Sequence, residues 1–270
     1  MKRVAVLKLG GELIETKDKL KAIGRAIATA SKTNRLVIVH GGGREIDAGL
    51  AQVGIPKRQV DGLRVTDEDT LNIVVSVLAG SINTKFVAAI NAAGGMAVGL
   101  TGADAGVAPV KKAAPHKATS GETVDLGLVG MPIPSSKSPA LLQAMCRAGY
   151  VPVVACVSAS KDGQLFNVNA DTLAGYIAAR LKAKRLVIAG ATAGVLDKKN
   201  ATIARLDGER IDKLVKSGTA NAGMVAKLAA CQAALKGGAK NVVIVDGRSP
   251  GRIVKALNGD KTSATTKVVN

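Results

Sequence analysis

Short apolar runs alternate with stretches of helical periodicity along almost the whole chain. The first run is Val4–Leu9, and helical periodicity follows over about Lys17–Lys32. A second run at Arg35–Val39 leads into a second helical stretch, Arg44–Val53. A long amphipathic stretch, about Asp67–Ala92, carries Leu71, Val74, Val75, Leu78, Ile82, Phe86 and Ile90 on one stripe. Thr66 reads as its N-cap, with Asp69 three residues on as a weak capping box. Met96–Leu100, Val124–Val129 and Tyr150–Cys156 read as strands, the last apolar enough for burial on both faces. Residues 111–122 read as a lysine-rich hairpin tip, Pro132–Pro139 as a loop, and Ser138–Ala148 and Thr172–Leu181 as helices. Arg185–Ala189 and Asn241–Val245 are further strands, with Gly190–Gly194 a loop. Ser217–Lys227 is a glycine-containing loop that puts Lys227 at the start of an alanine-rich helix. The tail beyond Gly259 reads as an edge strand with a frayed end. Strand, loop and helix in this order predict a parallel sheet with ligands at the C-terminal strand ends.

Two of those strand ends carry glycine loops. Lys8 closes the first strand ahead of Gly10 and Gly11, and His40-Gly41-Gly42-Gly43 closes the second. Converging backbone N–H groups make such turns anion sites, and a lysine on the strand end would aim its ammonium at the same anion. Taken alone, Gly10-Gly11 also fits an ordinary turn. The glycines are contiguous, which matches neither a dinucleotide fingerprint nor a Walker loop. Arg64, just ahead of the long helix, can grip a carboxylate bidentately. Asn167, Asn169 and Asp171 precede the Thr172–Leu181 helix. Asp171 could be a plain N-cap, which leaves Asn167 and Asn169 unexplained.

Composition narrows the chemistry. The chain has 270 residues, 47% of them hydrophobic but only 1% aromatic, so the core is aliphatic and base-stacking platforms are nearly excluded. Net charge is +18, and residues 181–270 hold 17 basic against 6 acidic side chains, a field suited to polyanions such as nucleotides. No helix-turn-helix or zinc signature predicts sequence-specific nucleic-acid binding. Cys146, Cys156 and Cys231 fit neither a zinc site nor a disulfide framework and read as buried thiols of a cytoplasmic protein. The first strand starts by residue 4, where a signal peptide would lie, and no uninterrupted apolar run is long enough for a membrane helix.

Six motifs together resemble the amino-acid kinase family. They are Lys8-Leu-Gly-Gly11, His40-Gly-Gly-Gly43, Gly62-Leu-Arg-Val-Thr66, Asp125-Leu-Gly-Leu-Val-Gly130, Asn167-Val-Asn-Ala-Asp171 and Gly223-Met-Val-Ala-Lys227. The Lys8–Gly11 motif and Lys227 resemble the wider family, whereas Gly62–Thr66 and Asn167–Asp171 are most similar to the branch that acts on N-acetyl-L-glutamate. The resemblance implies an α/β fold: a three-layer α/β/α sandwich with a central, mostly parallel sheet. It implies an amino-acid-binding lobe (1–180) and a nucleotide-binding lobe (181–270). It further implies ATP-dependent phosphorylation of the side-chain carboxylate of N-acetyl-L-glutamate. In that reading Lys8, Lys227 and Asp171 are catalytic, and Gly10 and Gly11 bind phosphate. Gly42, Gly43, Arg64 and Asn167 bind substrate. Mg2+ arrives with ATP and is held mainly by phosphates, with no separate protein metal site.

A homodimer through the long helix is expected. Relatives inhibited by arginine carry a helix ahead of the first strand; with seven residues before Lys8, arginine feedback is not expected here. The chain also departs from the family pattern. Gly190-Ala191 replaces a Thr/Ser-Asp pair, Met224-Val-Ala-Lys227 replaces Met-Ile-Pro-Lys, and the tail lacks Gly-x-Gly-Thr. Two other readings stay open: a kinase for carrier-protein-linked aminoadipate or glutamate, and a non-catalytic binding protein on the same fold.

Overall fold

The computed structural model describes residues 4–134, 139–220 and 222–270. Residues 135–138, where the sequence predicts part of a loop and the start of a helix, and Asn221 in the predicted Ser217–Lys227 loop lie outside the described residues. Eight strands form the central sheet: β1 (Val4–Leu9), β2 (Arg35–His40), β3 (Ala97–Thr101), β4 (Val151–Ala155), β5 (Arg185–Gly190), β6 (Arg205–Leu206), β7 (Val242–Asp246) and β8 (Thr265–Val268). Their spatial order is β6-β8-β7-β5-β1-β2-β4-β3. Every pairing is parallel except β7 with β8. The tail strand β8 is therefore not an edge strand, because β6 pairs outside it.

The helices are α1 (Lys17–Ser31), α2 (Gly43–Gln52), α3 (Glu68–Val75), α4 (Asn83–Ala92), α5 (Ala140–Arg147), α6 (Ala170–Arg180), α7 (Gly208–Lys216), α8 (Ala222–Lys236) and α9 (Pro250–Asn258). Right-handed crossovers decide which face each one covers. The chain moves one way along the sheet through α1 and the other way through α5 and α6. Contacts agree: α1 packs on α4 and α9, while α6 packs on α8. The result is the expected three-layer sandwich. Both faces of the inner strands are covered, so β1, β2 and β4 are apolar almost throughout and buried.

Three local expectations fail. The predicted strand Val124–Val129 is only Thr123–Val124, in a short ladder with His116–Lys117. Gly127 adopts φ +73° and lies against Thr66, and the segment from Asp125 runs irregularly along Thr66 and Asn167 instead. The N-cap of α3 is Asp67, whose side chain accepts from the Thr70 N–H; Thr66 is fully buried beside it. The long helix is also not uniform, since a π-helical segment, Ser76–Ile82, separates α3 from α4. The stretch Glu68–Ala92 is long and apolar enough to cross a membrane by length and composition. Leu71, Val74, Leu78, Ile82, Phe86 and Ile90 on its inner side belong to the buried core, which accounts for much of that apolarity.

Packing on the α6–α8 face is close enough to set the geometry of the site. A Cβ on Gly175 of α6 would lie 2.7 Å from the Ala230 carbonyl oxygen of α8. Gly175→Val is expected to force the two helices apart and to cost about 1–3 kcal/mol, the usual range for overpacking. Urea unfolding of the variant checks this, and wild-type stability would mean that α6 and α8 are not held by backbone contact here.

Candidate active site

The centre of the site is one carboxylate shared by two lysines. Lys8 ends β1 and is buried among aliphatic neighbours, with its Nζ 3.1 Å from Asp171 Oδ1. Lys227 reaches the same carboxylate from α8, 3.2 Å from Oδ2 and 3.4 Å from Oδ1. It sits in the second turn of α8, not at the helix start as the sequence suggested, because α8 begins at Ala222. Asp171 is not the N-cap of α6. That role falls to Asn169, whose side chain accepts from the N–H groups of Asp171 and Thr172. The cap leaves Asp171 in the first turn, aimed inward. Burial raises the Asp171 pKa, but Lys8 and Lys227 together outweigh it and the net shift is downward from 3.8. Burial and the nearby Lys8 charge push the Lys227 ammonium down, with Asp171 opposing. Two ammoniums on one carboxylate leave a net positive charge in a nearly dry place, which is an anion site.

Both glycine loops close on this centre. A Cβ on Gly11 would stand 3.0 Å from the Gly42 Cα, so the loops touch backbone to backbone and any side chain there would press on the second loop. Gly42 and Gly43 open α2, and Gly11 opens the short turn Gly11–Leu13, where the first N–H groups of a helix have no partner within it. The Gly10 N–H is directed elsewhere, to Ala189 O at 3.0 Å. Gly10 therefore shapes the loop without its amide facing the site.

Beneath the second loop lies an arrangement with no sequence signal. His40 is fully buried, and its Nδ1 lies 3.1 Å from the Gly41 carbonyl oxygen. Asn83 Nδ2 donates to Val153 O at 2.9 Å and lies 3.1 Å from His40 Nε2. With Asn83 donating, Nε2 must accept, so the neutral ring carries its proton on Nδ1 and donates it to Gly41. The π-helical segment ends at Ile82, just before Asn83, and its Leu78 and Ile82 side chains press on Gly42, where a Cβ would meet Ile82 Cδ1 at 2.2 Å. Interrupted helices of this kind concentrate at functional sites. Here the interruption keys the long helix to the loop.

The other predicted site residues form a second cluster beside the first. Arg64 lies on a two-stranded ladder, Gln59–Val60 with Leu63–Arg64. Its Nη2 pairs with Asp47 and donates to Gly43 O at 3.3 Å. Its Nη1 is buried with no hydrogen-bond partner. A buried, unmet guanidinium N–H beside an anion loop marks a ligand position. Asp47 also takes a bond from Lys57 Nζ at 2.7 Å. Burial raises its pKa, but Lys57 and Arg64 bring it below the ordinary 3.8. Asn167 donates to Thr66 Oγ1 at 3.2 Å, and its N–H to Leu128 O at 3.0 Å. Glu45 Oε2 is also buried without a partner, at the junction of Gly11 and Gly42. The loop that lacks an acid at Ala191 has one beside it, since Glu12 Oε1 accepts from the Ala191 N–H at 3.1 Å. Sequence reasoning missed Asp47, Glu12, Glu45 and Asn83. Only the first three had a signal, each being an acid within a few residues of a glycine loop.

Comparison with known proteins follows the same lines. The sequence model described as the amino acid kinase family matches residues 3–246. The chain is 39% identical over 260 residues to the acetylglutamate kinase of Rhodospirillum centenum, covering 94% of this chain and 85% of that one. It is 40% identical over 266 residues to the acetylglutamate kinase of Rhodopseudomonas palustris strain BisB18, covering 96% and 88%. Among solved structures, N-acetylglutamate synthase of Neisseria gonorrhoeae, complexed with coenzyme A and N-acetyl-glutamate, superposes with a TM-score of 0.82 at 23% identity. That match covers 99% of this chain and 59% of the synthase, and at such identity it speaks to the fold alone.

The His40 arrangement makes a stability prediction. Burial pushes the imidazole pKa down to about 4 from 6.5, with the bond to Gly41 opposing. Between those values the unfolded chain takes up a proton that the folded chain refuses, so stability falls as pH falls across that window. The loss between pH 7 and 4 amounts to about 3 kcal/mol. His40→Gln is expected to flatten this part of the pH dependence in urea unfolding. Equal slopes in variant and wild type would contradict a buried, neutral His40.

Proposed function

The chain belongs to the amino acid kinase family, and on that footing we propose that it transfers the γ-phosphoryl group of ATP to the side-chain carboxylate of N-acetyl-L-glutamate. The product is N-acetyl-L-glutamyl 5-phosphate, a step of arginine biosynthesis. The observation that carries the reading is the shared carboxylate of Asp171, with Lys8 and Lys227 presented beside two touching glycine loops.

A carboxylate is ionised at neutral pH and needs no general base. One of its oxygens attacks the γ-phosphorus, the bond from that phosphorus to the β,γ-bridging oxygen breaks, and ADP leaves. Catalysis is then positioning and neutralisation of charge on the transferring group. Lys8 and Lys227 take that role, one from each lobe, and Asp171 holds both ammoniums in place. Gly11, Gly42 and Gly43 offer backbone N–H groups to the phosphoryl oxygens and the reacting carboxylate. Arg64 Nη1 meets the α-carboxylate of the amino acid while Nη2 stays on Asp47. Asn167 faces the amide side, and the unmet Glu45 Oε2 can accept from an N–H of the substrate.

We assign residues 1–180 to the amino-acid lobe and 181–270 to the nucleotide lobe. Both Asp171 oxygens are committed to lysines, so Mg2+ fits as an ion that comes with ATP on its phosphates, where it neutralises charge. β3 is the edge strand at one end of the sheet and the Glu68–Ala92 helix packs on it, which suits a homodimer through that helix. The three cysteines are unbridged, and burial pushes their thiols up to about 11 for Cys146 and about 12 for Cys156 and Cys231. Inert reduced thiols suit a cytoplasmic enzyme.

Hydroxamate-trapped steady-state kinetics test the assignment. Lys8→Ala and Lys227→Ala are each expected to lower kcat by about 100- to 1000-fold with a smaller change in the KM for acetylglutamate. Arg64→Lys is expected to raise the KM for acetylglutamate far more than that for ATP, because lysine lacks the planar fork. Wild-type turnover in either lysine variant would remove that lysine from the mechanism. Equal shifts of both KM values would remove Arg64 from the amino-acid pocket.

A further inference from the structure

A cavity of about 960 Å³ opens on the α6–α8 face, lined by chain neighbours of the residues just assigned. Its near end is formed by immediate neighbours of the site. Leu63 precedes Arg64, Thr172 follows Asp171, and Ala226 precedes Lys227. Val129, also in the wall, is the bridge partner of Asn167, the residue facing the substrate amide. From there the groove runs along α8 past Ala229 and Ala233, under a roof that includes Met131 and Pro132. The lining contains no Asp or Glu, and its polar members include His116, Lys117 and Arg180. His116 is already bonded to Asp61 at 2.8 Å.

Such a space is at the upper end of what holds a drug-sized ligand, roughly 300–1,000 Å³, and an acetyl methyl fills a small part of it. Its wall is mostly alanine with Tyr176 beside it and no carboxylate, which suits an apolar chain better than a cation. Leu63, Val129 and Asn169 put its near end next to the Arg64–Asn167 cluster, the side from which an amide substituent would extend. Resting on the kinase reading above, we infer that this site accepts N-acyl glutamates whose acyl chain is longer than acetyl, with the added methylenes lying in the groove along α8. The acyl amide stays at Asn167, and the reacting carboxylate stays between the glycine loops. Each buried methylene contributes a roughly three- to fourfold gain in kcat/KM if it is fully removed from water.

The experiment compares N-acetyl-, N-butanoyl-, N-hexanoyl- and N-octanoyl-L-glutamate with the full-length wild-type enzyme, and again with Ala233→Leu. Ala233 is exposed and lies six residues beyond Lys227, about 9 Å along the helix, so a leucine there narrows the groove away from the reacting atoms. The expected result is a kcat/KM for the hexanoyl substrate about tenfold or more above that for acetyl. Ala233→Leu should remove that gain and leave the acetyl rate unchanged. A steady fall in kcat/KM with each added carbon, while acetyl turns over normally, overturns the inference and leaves the kinase reading standing. A hexanoyl gain that survives in Ala233→Leu likewise overturns the placement of the chain in this groove. Absence of turnover with all four, ATP being present, overturns the kinase reading and this inference with it.

Discussion

The structure depends on one buried carboxylate balancing two buried ammoniums. Asp171 sits on α6, Lys8 on β1 and Lys227 on α8, so the triad ties the first strand to both helices of one layer. Removing the carboxylate would leave two cations in a poorly solvated place, a change that costs about 3–5 kcal/mol where a buried pair is broken. The same imbalance, two positive charges on one negative, keeps the site attractive to a further anion. Stability and anion binding are therefore linked by one interaction. The groups around it serve its geometry: Asn169 caps α6 so that Asp171 points inward, and Gly175 lets α8 approach closely enough for Lys227 to reach.

A second constraint joins the His40–Gly43 loop to the Glu68–Ala92 helix. Gly42 is pressed by Leu78 and Ile82 from the π-helical segment, and Gly41 is held by His40, which Asn83 orients. A regular α-helix through Ser76–Ile82 would rotate Asn83 relative to Leu78 and break one contact or the other. The loop that would hold the reacting carboxylate is therefore not an independent hinge. Its position is set by the phase of the Glu68–Ala92 helix, through side chains remote from any charge.

The layered architecture was legible because each inner strand is a dense apolar run and each helix has a clear stripe; β1, β2, β5 and β7 fall within a residue or two of where periodicity places them. Lys8, Gly11, Gly42 and Gly43 were legible as a group because strand ends with glycine loops have a direct physical meaning, whereas Asp171 joined them only through the family resemblance. Three features were not legible, for separate reasons. The segment after Val124 alternates like a strand, but Gly127 turns it onto Thr66, and only the tertiary neighbour reveals that. The choice of Asn169 over Asp171 as N-cap depends on the lysines, which arrive from distant sequence. The His40–Asn83 contact joins residues 43 apart that carry no shared pattern. Glu12 had a weak signal beside its glycine loop, but its partner Ala191 did not, since the acid comes from the distant turn Gly11–Leu13.

The most direct test of the central claim is a crystal structure of the enzyme with ADP, Mg2+, aluminium fluoride and N-acetyl-L-glutamate. The account predicts the planar fluoride, standing for the transferring phosphoryl group, between Lys8 Nζ and Lys227 Nζ, within about 3 Å of each. Asp171 would remain bonded to both. A fluoride bound out of reach of either ammonium, with the two lysines still paired to Asp171 as in the free protein, would contradict it.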